Sequence, residues 1–67
     1  MKFKERFNEV LKQSEKKQTE IALALNLSKQ CVNDYRTGKT LPSIETLYLL
    51  CKYLDVSADY LLGLSDY

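Results

Sequence analysis

Apolar residues return every three or four positions along this chain, the spacing that gathers them on one side of an α-helix. Phe3, Phe7, Val10 and Leu11 predict a first helix from about Lys2 to Ser14, with those four facing inward. Ile21, Ala22 and Leu25 form a second stripe within Gln18 to Leu27, where Ala and Leu favour helix and no Gly or Pro interrupts. Val32 and Tyr35, spaced i, i+3, mark the apolar side of a third. Ile44, Leu47, Leu50, Cys51 and Leu54 line a fourth. A short fifth follows over Ala58 to Leu62. The expected class is all-α, five helices in one compact domain over residues 1–67.

The boundaries have their own chemistry. Ser28, Ser43 and Ser57 stand where an N-cap hydroxyl accepts from a backbone N–H one turn on. Pro42 stops the loop before the fourth helix, and Gly38 and Gly63 stand where left-handed caps close the third and fifth. Asn26 falls between two short helices, where the chain needs one residue with positive φ, and Asn is the non-glycine residue best suited to it. Ala22, with nothing beyond Cβ, allows close approach, and Val32 is its natural partner. Together these predict a helix-turn-helix over about residues 18–37.

The outward side of the third helix carries Lys29, Gln30, Asn33 and Asp34. Amides and an ammonium at that spacing match the donors and acceptors on base edges in a DNA major groove. For this segment alone, an ordinary amphipathic surface helix is the plain alternative.

Gln18-Thr19-Glu20-Ile21-Ala22, Asn26-Leu27-Ser28, Val32, Gly38-Lys39, Leu41-Pro42-Ser43 and Leu54-Asp55-Val56-Ser57 together resemble the Cro and phage-repressor (XRE) helix-turn-helix family. The resemblance runs over nearly the whole chain. It implies a lambda-repressor-like fold in which helices two and three form the helix-turn-helix. It places Lys29, Gln30 and Asp34 at base edges, with Asn33 added, and Gln18 near the DNA backbone. Lys17, Ser28, Lys39 and Thr40 join Gln18 as expected phosphate contacts. The chain departs from the family where the usual turn glycine is Asn26. The usual Glu late in the recognition helix is Arg36, and the Arg that pairs with it in many members is Leu11. Both halves of that ion pair are absent together. The turn after helix one reads Ser14-Glu15-Lys16-Lys17 in place of the usual Gly and apolar residue, which makes that helix end the least defined boundary.

Net charge is only +1, but its distribution is uneven. Residues 1–41 hold nine Lys/Arg against five Asp/Glu, and residues 42–67 hold one against four. Such asymmetry suits a molecule with one face for phosphates, although chance imbalance on a solvated surface is the alternative. Two cysteines and no histidine fall short of a tetrahedral zinc site, so no metal or cofactor is expected. Cys51 reads as core packing and Cys31 as half packed against helix two, where a redox role is the remote alternative. Gly38-Lys39-Thr40 resembles the tail of a phosphate-binding P-loop, but that motif needs Gly where this chain has Asn33. Without histidine or a nucleophile–base pair, an enzyme is not expected. Neither a membrane nor a small-molecule ligand is expected as a partner. The start, Met1 to Arg6, lacks the apolar run of a signal peptide, so the expected compartment is the cytoplasm.

Tyr48, Leu49, Tyr53, Tyr60, Leu62, Leu64 and Tyr67 exceed what one small core holds. They suggest a homodimer surface around Leu49, Tyr53, Tyr60, Leu62 and Leu64, with scattered surface apolar residues as the alternative. The expected function is a sequence-specific regulator, a repressor acting as a dimer on a palindromic operator in double-stranded DNA. The alternative is a helix-turn-helix interaction module, an antitoxin or adaptor, that binds DNA weakly or not at all.

Overall fold

The computed structural model describes residues 1–67 as five helices and no strands. They are α1 Phe3–Ser14, α2 Gln18–Ala24, α3 Lys29–Thr37, α4 Ile44–Leu54 and α5 Ala58–Leu62. No helix is long and apolar enough to cross a membrane. The core draws on every helix: Phe3, Phe7, Val10 and Leu11 from α1, Ile21 and Ala22 from α2, Val32 and Tyr35 from α3, Leu50 and Leu54 from α4, and Leu61 from α5. At its centre the Phe3 and Phe7 rings stack 5.3 Å apart. Tyr35 meets both edge-on at 6.3 Å, an arrangement favoured by the ring quadrupoles.

All three predicted serine caps form. The hydroxyls of Ser28, Ser43 and Ser57 accept from the N–H of Cys31, Thr46 and Tyr60 at 3.0, 3.2 and 3.0 Å. Each such cap contributes about 1 kcal/mol to its helix. α2 ends at Ala24, earlier than the apolar run to Leu27 suggests. Leu25 serves as its C-cap and Asn26 turns left-handed with φ 57°. Leu27 then returns its N–H to the Ala22 carbonyl at 2.8 Å, which completes the turn into α3. α1 and α4 close the same way, on Glu15 at φ 58° and Asp55 at φ 56°. Glu15 gives no signal of that conformation, whereas Asp55 belongs to a residue type that tolerates it.

One expected core position lies elsewhere. Ile44 is 88% exposed, and Leu47 and Cys51 are only half-buried. α4 packs chiefly through Leu50 and Leu54, with Leu47 partly buried against the core, while Ile44, like Leu41 and Tyr48, stays exposed. Apolar periodicity assigned Ile44 to the right stripe, but it cannot tell where a helix leaves the core. The C-terminal segment is tied to α1 by Arg6, whose guanidinium donates to the carbonyls of Tyr60 and Ser65 at 3.1 and 2.9 Å.

The left-handed turn yields a stability prediction. Asn26→Gly is expected to be neutral or slightly stabilising. Asn26→Val is expected to cost on the order of 1–2 kcal/mol, because a β-branched residue is strained at positive φ. Urea unfolding midpoints check this, and equal midpoints for the two variants would refute the requirement for positive φ.

Candidate nucleic-acid interface

α3 is fixed from behind and open in front. Val32 is fully buried and Tyr35 is 5% exposed, whereas Lys29 and Gln30 are exposed and Asn33 and Asp34 half-buried. The four polar residues pair at i, i+4 and i, i+3 and so share one face. Burial pushes the Tyr35 phenol up to about 12, with Cys31 beside it adding to the rise and Thr46 opposing it. The hydroxyl therefore stays neutral at any ordinary pH, and α3 rests on an uncharged anchor. Cys31 is half-buried.

Within the row, the Gln30 amide donates to the Asp34 carboxylate at 2.8 Å. This bond orients Gln30 and partly satisfies the carboxylate, the one residue of the row that phosphates would repel. Its i, i+4 spacing was visible in the sequence.

The Asp34 carbonyl organises the loop that follows. It accepts from the backbone N–H of Gly38, from Lys39 at 2.9 Å and from Thr40 at 3.4 Å, and from the Thr37 hydroxyl at 3.3 Å. Gly38 holds φ 82°, and a Cβ there would come within 2.9 Å of the Lys4 side chain. The helix thus ends abruptly, leaving Lys39 and Thr40 exposed just beyond α3.

The other flank is built on Gln18. Its amide donates to the Lys29 carbonyl at 3.0 Å, which joins the start of α2 to the start of α3. Its side-chain oxygen accepts from Arg36 at 2.9 Å. Arg36 also donates to the Asn8 side chain at 3.1 Å, and Asn8 donates back to the Arg36 carbonyl at 2.8 Å. The absent family ion pair is therefore replaced by a network of neutral acceptors around one cation. Leu11 is buried beneath it, and no acid accompanies Arg36. Sequence reasoning missed this network because its members lie 18 and 28 residues apart. Lys17, the N-cap of α2, is exposed beside Gln18, and Ser28 is exposed at the start of α3.

The expected base-edge residues therefore share one face, with the expected phosphate residues at its two ends. A family model described as helix-turn-helix matches residues 8–61. The chain belongs to this XRE-type helix-turn-helix family. Among solved structures, this helix-turn-helix protein is similar to a transcriptional regulator from Listeria innocua, at 36% identity and a TM-score of 0.84. The match covers 91% of this chain and 57% of the Listeria chain, so this chain spans little more than half the length of that regulator. No curated protein matches the chain.

The expected dimer residues divide in the structure. The Tyr60 ring lies under the Arg6 guanidinium at 4.3 Å and the Tyr53 ring under the Lys16 ammonium at 4.7 Å. Both rings also pack against the core. Leu49 and Leu62 are half-buried, and Leu64 is 76% exposed beside the exposed Met1.

Proposed function

We propose that this protein is a transcriptional regulator that binds double-stranded DNA by sequence, acting in the cytoplasm as a repressor and as a dimer on a palindromic operator. The row Lys29, Gln30 and Asn33 carries the reading. It sits on a helix locked to the core by Val32 and Tyr35, and it presents hydrogen-bonding side chains at a spacing suited to base edges. Asp34 holds Gln30 in place and is available to a cytosine amino group. Lys17, Gln18 and Ser28 at one end, and Lys39 and Thr40 at the other, hold backbone phosphates and set the register of α3. The family and the likeness to a transcriptional regulator support the same reading. An interaction module without DNA binding has little use for amides on that exposed row.

The dimensions support the dimer. Two recognition helices on one face of DNA stand about 34 Å apart. The longest extent of one protomer is 28 Å, and it carries one helix-turn-helix. A second copy supplies the other helix. The surface proposed for contact is the region of Leu49, Tyr53, Tyr60, Leu62 and Leu64, with Leu62 and Leu64 as its most available part.

Three outcomes test this reading. A binding site is first selected from a random duplex pool. Gln30→Ala is expected to weaken binding to that site by about 1–3 kcal/mol and to relax preference at one or two base pairs. Repeating the selection with the variant checks this, and an unchanged preference counts against base contact. Lys39→Ala is expected to weaken all duplexes about equally and to lower the salt slope by about one unit. Loss of discrimination along with affinity would contradict a phosphate-only role. The pair Leu62→Ser and Leu64→Ser is expected to leave helical content unchanged and to lower affinity for the full site far more than for a half-site. Equal losses on both duplexes would place the dimer surface elsewhere.

A further inference from the structure

We infer that the basic cleft where α1, the α1–α2 turn and the end of α3 meet receives a phosphate of the DNA backbone, with Arg36 as its clamp and Lys12 as a second cation. This rests on the DNA-binding reading above and adds two residues to it. The cleft has a volume of about 620 Å³, with Leu11 among its lining residues. Its charged residues are Lys12, Lys16, Lys17 and Arg36, and none of its lining residues is acidic. The one salt bridge of the molecule, Arg6 to Asp66 at 3.7 Å, involves none of these four. Four cations around one recess repel one another, and an anion placed there relieves the repulsion.

The geometry selects a phosphate. A guanidinium has five N–H donors in a rigid fork that matches phosphate oxygens two at a time. Two of the five are committed, one to Asn8 and one to Gln18, and three remain. Asn8 is itself fixed by a second donation to the Lys4 carbonyl at 2.9 Å. The fork is thus held in one orientation before any ligand arrives, so little side-chain entropy is lost when one binds. Lys16 is held on the Tyr53 ring. Lys12 is exposed and takes part in no side-chain hydrogen bond or ion pair, which leaves its ammonium free to approach.

Arg36 also positions Gln18. Because a guanidinium only donates, the Gln18 oxygen must face it, and the amide NH₂ faces away. One of those N–H groups goes to the Lys29 carbonyl and the other is left for a phosphate. The cleft is therefore continuous, through Gln18, with the start of α3.

The test is the salt dependence of duplex binding, read as the slope of log Kd against log salt, for the full chain and four variants. Lys12→Gln and Arg36→Gln are each expected to lower the slope by about one unit. Arg36→Lys, which keeps the charge, is expected to hold the wild-type slope, as is Lys52→Gln, at a residue that lies over Tyr48 and does not line the cleft. If Arg36→Gln loses its fold by circular dichroism, Lys12→Gln, which breaks no bond, decides alone. If Lys12→Gln and Arg36→Gln both keep the wild-type slope while Lys39→Ala loses its unit, the cleft is not a backbone site, and the DNA-binding reading stands. If Arg36→Gln keeps the wild-type slope while Lys12→Gln loses its unit, the phosphate is held without Arg36 and its role as a clamp is overturned. If the unaltered protein binds no duplex at all, the function and the cleft fall together.

Discussion

Everything on the proposed DNA face depends on the packing of Val32 and Tyr35 against the core. A nine-residue helix is too short to persist alone in water, where even favourable sequences need roughly 12–15 residues. α3 exists at a fixed angle because Val32 is fully buried and Tyr35 wedges edge-on against the stacked Phe3 and Phe7 rings. Burying two such side chains contributes about 1.5–3 kcal/mol each, more than the Ser28 cap, which contributes about 1 kcal/mol. The cap fixes where the helix begins, and the core fixes which side faces out. With both in place, Lys29, Gln30 and Asn33 have no direction left but solvent.

That anchoring leaves the polar residues of α3 free for the proposed recognition. The face is further ordered by bonds that leave its side chains accessible. Gln30 is tied to Asp34, Gln18 to Lys29 and Arg36, and the loop of Lys39 and Thr40 to the Asp34 carbonyl. The cost of ordering these groups is therefore partly met in the folded protein and not at the moment of binding. Arg36 shows how a departure from the family pattern is absorbed. Where an internal ion pair is absent, neutral amides of Asn8 and Gln18 orient the cation and leave its charge facing outward.

The parts of this structure legible in the sequence are those decided within a few residues. Ser28, Ser43 and Ser57 cap because a hydroxyl one turn ahead of a free N–H has little alternative. Asn26 and Gly38 turn left-handed because few other residues do so cheaply. The outward row of α3 follows from helical period. What was not legible depends on neighbours distant in the chain. Ile44 belongs to the apolar stripe of α4, yet its own side chain stays exposed at the start of that helix. Glu15 adopts positive φ where its helix ends, a conformation that Glu itself does not favour, and Asp55 does so with only part of the tolerance of glycine or asparagine. The Arg36 network joins positions separated by up to 28 residues, and no local pattern announces it.

The central claim is that the outer row of α3 is the surface that meets DNA. It is tested most directly by titrating isotopically labelled protein with a duplex too short to hold two protomers and following backbone and side-chain amide resonances. The account predicts that Lys29, Gln30, Asn33, Lys39 and Thr40, with the side-chain amides of Gln18 and Gln30, shift together on binding. Leu50, Leu54 and Leu61 in the core should hold their positions. Shifts confined to α4 and α5, with α3 unmoved at saturating duplex, would contradict it.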